Sequence, residues 1–534
     1  MSKELPKHMT KGGPGDHTFK TSLLGGKVDT TAWFAEDHMF DPNTYDYIDN
    51  LLDEGTIAKK AKDQEIFFCD IPFTQVYMEI DGNYQACCFA KSSKKHNVLN
   101  TSLVDWMHGK ELNKVRSEML DPNSKFKQVK KTCQRCIADE KRYGRSRRTA
   151  CMKIHSNAPD YWKKVVQMVK MMEASGEYNM MDGGRILEIQ LKVYGSECNL
   201  DCYMCVHANS TIRQKVADEG VWNDRIFLKY SKIAKEKLRW VTKDKNEIYN
   251  DEDVEIDKDG VIYIQLDKGN LKNDGVAKKV EVTNTESMVE QTVALAPYIR
   301  SIKIIGGEPL IMKKHYELLD RLIEIDEAKN IMIKYQTNLT ETKAGKHNIF
   351  KYIPEFKLVS MVASVDGVGK TIEYMRRRCS WDKIVDNAKL CDEYDNVDVD
   401  FNGLVSFLSV MRFYEVIDWC LANPFIDQIN WAMLETPPHL RVNNLPEKIK
   451  KDLIPKYEGW PDIQDALRMP PEKNLDMLEV FDYLLKADEY YKGTKWEMNL
   501  FDVFPELEEY YIPKENRPAS NTPYKRNLYG TDYR

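Results

Sequence analysis

The sequence predicts an α/β protein built on parallel βα units, and three observations lead there. Six apolar, strand-like runs recur between residues 186 and 434. They are ILEIQLKVYG from Ile186, IRSIKII ending at Ile305, IMIKYQTN to Asn338, KLVSMVASVD to Asp366, VDVDFNGLVS to Ser406 and IDQINWAML to Leu434. Most are separated by amphipathic segments of helical length, such as MKKHYELLDRLIEI and SWDKIVDNAKLCDEY. Strands alternating with helices give a parallel sheet, either an open doubly wound one or a partial barrel. The third observation is composition: 42% hydrophobic and 30% charged residues over 534 positions is ordinary globular usage, with material for a large core.

In chain order, residues 1–65 are polar with short apolar patches and read as an N-terminal extension ending in a short helix. From Ile66 to about residue 155 the pattern changes. QVYMEI alternates like a half-buried strand, Asp81-Gly82-Asn83 signals a turn, and YQACCFA resumes the strand, giving a hairpin. The helical stretch SLVDWMHGKELNKVRSEML then leads to Cys133 and Cys136. The βα core runs from about 180 to 440. Within it, residues 210–288 are too long for one crossover helix, and their lysine- and aspartate-rich part reads as a solvated insertion, with VIYIQLD and KKVEVTN as a small hairpin. Residues 441–534 look helical to about Tyr491 and then become rich in aromatics and proline.

Charge and hydropathy exclude several classes. The 78 basic and 84 acidic residues leave a net charge of −6, which argues against a mainly electrostatic nucleic-acid binder. The most apolar stretch, Leu404 to Phe425, is interrupted by Arg412, Glu415 and Asp418, well short of the roughly 18 to 20 apolar residues of a membrane span. The N-terminal lysines precede no apolar segment of the secretory kind, so a cytoplasmic protein is expected. Seven of the 12 cysteines, Cys87, Cys88, Cys133, Cys136, Cys198, Cys202 and Cys205, fall in three tight groups, a spacing that suits a metal better than cross-links.

The sharpest signal is Cys198-Asn199-Leu200-Asp201-Cys202-Tyr203-Met204-Cys205, a Cys-x3-Cys-x2-Cys loop directly after the first core strand. Three thiolates within eight residues can wrap one face of an iron–sulfur cubane, which usually takes four, so one iron is left to bind something else. A zinc site completed by His207, or three buried thiols, would use the same residues. Gly306-Gly307-Glu308-Pro309 closes the second strand, where glycines permit close backbone approach and the carboxylate suits an ammonium group.

In this order the loop and the GGEP turn resemble the radical S-adenosylmethionine (radical SAM) enzymes. The resemblance implies a partial (β/α)6 barrel of TIM-like kind, with a small α+β iron–sulfur module before it and a helical C-terminal region. It implies a [4Fe-4S] cluster on Cys198, Cys202 and Cys205, whose open iron chelates the methionine part of SAM. Gly306, Gly307, Glu308 and Pro309 would hold the SAM amino end. Asn338, Ser364, Asp366 and Asn402 close later strands and join the cofactor site. An arginine among Arg376, Arg377 and Arg378, with Arg378 as the assigned candidate, would pair the SAM carboxylate. Many family members carry an aromatic just before the third cysteine, against the adenine; here that position is Met204 and the aromatic is Tyr203.

Upstream, Cys69, Gly82, Cys87 and Cys133-Gln134-Arg135-Cys136 resemble the twitch domain, the front half of the SPASM module. That resemblance implies an auxiliary iron–sulfur cluster on Cys69, Cys87, Cys133 and Cys136, with Cys88 on the other face of the strand. A zinc ion on the same four thiolates is the competing reading. In most relatives the module follows the barrel, whereas here it precedes it.

Two further segments need weighing. Ser364-Val365-Asp366-Gly367-Val368-Gly369-Lys370-Thr371 looks like a phosphate-binding loop but lacks the glycine required where Ser364 stands. The basic run Lys141 to Arg148 reads as a solvated face or as a contact for an acidic substrate. Cys379, Cys391 and Cys420 read as core residues. The expected function is therefore reductive cleavage of SAM to a 5′-deoxyadenosyl radical that abstracts hydrogen from a peptide or protein substrate, fed by a flavodoxin- or ferredoxin-type electron donor. The alternatives are a zinc-stabilised interaction or nucleic-acid-binding protein without catalysis, and a nucleotide hydrolase built on GVGKT.

Overall fold

The computed structural model describes, apart from short stretches, residues 68–221 and 285–517, with two isolated strand pairs, Phe19–Thr21 with Val28–Thr30 and Val254–Ile256 with Ile262–Ile264. The helix expected to end the N-terminal extension and the KKVEVTN segment lie outside the described residues. Ile262–Ile264 pairs backwards with Val254–Ile256, so the hairpin in the insertion uses a different partner from the one the sequence suggested.

The centre is a mixed α/β arrangement around one eight-stranded sheet. Its strands are β1 (Gln75–Met78), β2 (Tyr84–Gln85), β3 (Leu187–Leu191), β4 (Ile299–Ile304), β5 (Met332–Thr337), β6 (Leu358–Ser364), β7 (Val397–Val405) and β8 (Gln428–Met433). The spatial order is β8-β7-β6-β5-β4-β3-β1-β2, parallel throughout except for the β1–β2 hairpin. All six expected core strands form, and they line up in chain order without the reversal that marks a doubly wound sheet. Among the described residues β8 and β2 are not paired with each other, so the sheet is open.

The N-terminal cysteine segment is joined to this sheet. β1 pairs in parallel with β3, Gln75 opposite Glu188 and Met78 opposite Leu191, which extends the sheet beyond the six core strands. The β1–β2 hairpin forms as expected, turning at Gly82 with φ of +78°. The second strand stops at Gln85, however. Cys87 and Cys88 sit in a turn closed by the Ala90 amide donating to the Cys87 carbonyl at 3.0 Å, so strand alternation does not set which way they face.

The two sheet faces differ in chemistry. Ile302, Ile304, Ile333, Tyr335, Val359, Met361, Val399 and Phe401 are buried in the apolar core that the outer helices cover, among them Lys314–Glu324, Trp381–Asp392 and Phe413–Ala422. The alternate residues form polar rows across the strands. One row runs Gln190, Lys303, Lys334, Ser360, Asp398; the two further along pair Asp400 with Gln428 and Asn402 with Asn430. A strand alternating this way normally has one face in water; here Gln190, Lys303, Gln336 and Ser364 of that face line a cavity.

The expected C-terminal helices are present at Glu447–Leu453, Pro461–Arg468 and Met477–Tyr491. Among the described residues no helix is long and apolar enough to cross a membrane.

Candidate functional site

A cavity of about 530 Å³ opens at the C-terminal ends of β3 to β6. Cys198, Cys202, Met204 and Cys205 line it, facing Gly306, Gly307 and Glu308, with Asn338 and Ser364 beyond them. The cysteine loop and the GGEP turn, about a hundred residues apart in sequence, are therefore on one surface.

Glycine is required in that turn because the turn packs on the cysteine loop itself. The Glu308 amide donates to the Glu197 carbonyl at 2.6 Å, Gly306 has φ of +153°, and a Cβ on Gly307 would lie 2.1 Å from the Glu197 carbonyl oxygen. The close approach read from the sequence is thus made to the neighbouring backbone. Asn338 continues the tie, donating from its amide to Asn199 in the loop at 2.8 Å, while Asn199 donates to Thr340 at 2.8 Å.

Glu308 is fully buried and already occupied. Its carboxylate accepts from the Thr337 hydroxyl at 2.6 Å, the Asn338 amide at 2.6 Å and the Leu310 amide at 3.1 Å. Burial pushes its pKa up to about 7 against the pull of these donors. With about four lone-pair sites on a carboxylate, one remains for a ligand.

The arginine run divides sharply. Arg376 and Arg377 form a two-residue strand antiparallel to Asp201 and Cys202, which sets Arg376 opposite Cys202. Arg376 lines the cavity, holds Asp366 at 2.8 Å and reaches the Cys202 sulfur at 3.7 Å. Arg377 pairs with Asp488. Arg378, with φ of +75°, stacks 4.5 Å over Trp496 and does not line the cavity, so the arginine available to a ligand is Arg376. Asp366 stands behind Arg376 and also accepts from the Leu404 amide. Pro309 and Asn402 do not reach the cavity lining; Pro309 opens a buried 3-10 turn, and Asn402 pairs in register with Ser364. Tyr203 turns away into the core, its hydroxyl 2.6 Å from that of Ser406, and leaves Met204 on the cavity side.

Behind the loop lies a support that sequence reading missed. Arg213 donates to the carbonyls of Cys205 and Tyr203, both at 3.0 Å, and to Asp201 at 3.4 Å. From the Met477–Tyr491 helix, Tyr483 donates to the Tyr203 carbonyl at 2.8 Å and Tyr491 to Asp201 at 3.1 Å. The tyrosine contacts bridge 280 and 290 residues of sequence, beyond the reach of any local pattern.

A second, smaller cavity lies within the N-terminal module. Cys69, Cys87, Cys133 and Cys136 all line it, while Cys88 lines the large one. The turn after β2 thus sends adjacent cysteines to two different cavities, and Phe89 and Arg147 border both. The assigned side of Cys87 agrees with the sequence reading, but a turn and not strand alternation produces it.

Both cysteine sets fit a cluster in donor chemistry. Burial pushes Cys198 up to about 11 and Cys202, Cys205, Cys87 and Cys133 up to about 12. Each is thus a protonated thiol until a metal displaces the proton. Among the described residues no three His, Cys, Asp or Glu side chains are gathered as closely as one ion requires; a multi-iron cluster spreads its thiolates wider.

No family model and no curated protein sequence matches the chain. Among solved structures, it is similar to Streptococcus suis SuiB bound to precursor peptide SuiA, at 14% identity and a TM-score of 0.28, over 67% of this chain and 56% of that one. It is similar also to SuiB bound to S-adenosylmethionine, at 12% identity and a TM-score of 0.29, over 74% of this chain and 69% of that one. The chain thus spans little more than half the length of the first of these structures.

Proposed function

We propose that the protein is a radical SAM enzyme that modifies a peptide or protein, with a [4Fe-4S] cluster on Cys198, Cys202 and Cys205, an auxiliary iron–sulfur cluster on Cys69, Cys87, Cys133 and Cys136, and electrons from a flavodoxin- or ferredoxin-type donor. The observation that carries this reading is the single cavity on which the three loop cysteines, the GGEP turn, Asn338, Ser364 and Arg376 converge. When bound, the cluster and SAM supply one-electron reductive cleavage of the sulfonium to methionine and a 5′-deoxyadenosyl radical, which takes hydrogen from substrate.

The chain's own part is to bind, orient and exclude water. Glu308, held rigidly by three donors, offers its remaining lone pair to the SAM ammonium. Arg376 supplies a fixed positive charge beside Cys202, suited to the SAM carboxylate, and Asp366 keeps its guanidinium from swinging away. The apolar body of Met204 is the surface available to the adenine. Arg213, Tyr483 and Tyr491 hold the loop backbone so that the three sulfurs keep a common direction. Tyr77, Cys88 and Phe89 of the N-terminal segment add to the cavity lining beside the loop cysteines and narrow its access to water.

The test is anaerobic reconstitution of the full chain with iron and sulfide, followed by reduction with dithionite in the presence of SAM. Deoxyadenosine and methionine in equal amounts are expected. A colourless, zinc-replete protein that leaves SAM intact would defeat the reading and favour a structural role for both cysteine sets.

A further inference from the structure

The polar face of the sheet leaves a group of buried atoms unanswered at its β7–β8 edge. Both carboxylate oxygens of Asp400, the amide oxygen and nitrogen of Gln428 and the amide oxygen of Asn430 have no hydrogen-bond partner among the described residues. Asp400 is opposite Gln428 in the parallel ladder, and Asn430 stands two residues on along β8, opposite Asn402. Residues opposite one another, or two apart on a strand, share a sheet face, so the three side chains form one patch. All three are at most 2% exposed. Unbonded buried polar atoms cost free energy, and a native fold keeps them where water, an ion or a ligand completes them.

The patch asks for donors. Four acceptor oxygens stand against a single donor nitrogen, and turning the Gln428 amide onto Asp400 would use that donor and still leave acceptors in excess. No cation of the chain fills the gap among the described residues. Lys334, which acts on Asp400 from β5, is engaged by Glu188 at 3.6 Å, and its effect is outweighed by burial and by the like charges of Asp398 and Asp427. There is also a way in. Toward the C-terminal ends of the same strands Asn402 and Leu404 are half-buried and Ala432 is exposed, while Ser364, opposite Asn402 on β6, lines the large cavity. Asp400 thus lies one layer, about 7 Å, below a rim that is open to solvent and borders the cavity. A long aliphatic stem with a positive head spans that depth.

We infer that Asp400, Gln428 and Asn430 form a subsite for a cationic side chain of the substrate, so that the protein acts on a peptide segment carrying lysine or arginine. The subsite rests on the enzymatic reading of the neighbouring cavity and names the substrate chemistry left open there. An ammonium brings three donors and a guanidinium five, and either answers the excess of acceptors. None of the three residues belongs to the cavity lining where Glu308, Arg376 and the loop cysteines stand, so the subsite leaves the SAM end free.

The test is calorimetric titration of the reconstituted full chain, with SAM present, using the N-acetyl methylamides of L-lysine, L-arginine and L-norleucine. The first two carry the charge and the third a bare stem. At least one cation should bind roughly tenfold or more tightly than norleucine, and whichever does so identifies the head group. Asp400→Asn should remove that preference while SAM affinity holds; Gln428→Leu gives the same reading from the neighbouring strand should Asp400→Asn fail to fold. Equal affinity for cation and norleucine, or a preference that survives Asp400→Asn, overturns the subsite. Calcium, magnesium or potassium retained by the desalted protein and lost in Asp400→Asn would give the patch to a metal ion and overturn it too. Cation binding in a protein that does not cleave SAM would defeat the radical reading and leave the subsite standing, and SAM cleavage without any cation preference would do the reverse.

Discussion

The βα core and the N-terminal cysteine segment each set cysteines around a cavity, by opposite means. In the βα core, Cys198, Cys202 and Cys205 come from one loop of eight residues, and other side chains steady it: Arg213, Tyr483 and Tyr491 from behind, Asn338 from the side. In the module the four cysteines come from separated pieces of chain: Cys69 just before the Ile71–Thr74 helical turn, Cys87 in the turn after β2, and Cys133 and Cys136 at the start of the Gln134–Tyr143 helix. A loop keeps its ligand spacing even when the fold around it loosens. A dispersed set exists only while the tertiary packing does, so the two sites should fail differently.

The largest expected effect separates them by function. Alanine at any one of Cys198, Cys202 or Cys205 should abolish deoxyadenosine formation under dithionite, because an iron without its thiolate is open to exchange. Protein lacking all three should still bind about four irons in the module if that site is a cubane. In that background Cys87→Ala should remove the remaining iron and Cys88→Ala should not. The opposite result would exchange the two cysteines, and zinc in place of iron would take the module out of the redox chemistry.

Next comes the support behind the loop. Arg213→Ala would take the cation from buried Asp201 and one donor each from the Cys205 and Tyr203 carbonyls, leaving Tyr203 with Tyr483, a loss of about 3–5 kcal/mol by comparison with broken buried pairs. Urea unfolding of the apo protein should show it, together with poor iron loading at the Cys198–Cys205 loop while the N-terminal cysteine site still fills. Equal loss of iron from both sites would mean that the two are one cooperative unit.

Glu308→Gln comes third. Losing a charge-assisted partner costs roughly 1.5 to 3 kcal/mol, or about ten- to a hundredfold in SAM affinity. Because Glu308 also ties the GGEP turn to β5, iron content and melting temperature must be followed alongside. A drop in SAM binding with both retained assigns the carboxylate to SAM; a drop in all three makes it a structural clamp. Arg376→Gln should weaken SAM binding, and Arg378→Gln should leave it alone.

The smallest effect lies deeper in the sheet. Asp400 is fully buried on β7 with neither carboxylate oxygen hydrogen-bonded, and burial together with Asp398 and Asp427 raises its pKa well above the ordinary range. A carboxyl group raised in the folded state favours folding in its protonated form, so its contribution is lost as pH climbs above the unfolded value near 4. Asp400→Asn, neutral at every pH, should therefore stabilise the protein by about 1–3 kcal/mol at pH 8 and by much less near pH 4. Thermal melts of the two proteins at both pH values check the sign.

Much of this molecule was legible before folding. All six core strands could be placed from their apolar runs, since most carry several buried Ile, Val, Leu or Phe and β8 carries buried Trp431. The cysteine loop and the GGEP turn were readable as well, since their chemistry is fixed by residues close in sequence. Other things were decided only by packing. Which arginine of three faces the cavity depends on an antiparallel bridge between Arg376 and Cys202, 174 residues apart, which no local pattern encodes. Whether Cys87 or Cys88 enters the module depends on where β2 ends. The charged rows holding Lys303 and Asp400 were visible as alternation, as in Ile302-Lys303-Ile304 and Asp398-Val399-Asp400-Phe401, but alternation alone says that a strand has a polar face. That part of this face lines a cavity shared with Tyr77, Cys88 and Phe89 follows from the long-range pairing of β1 with β3, and pairing between distant segments is set by the free energy of the whole chain.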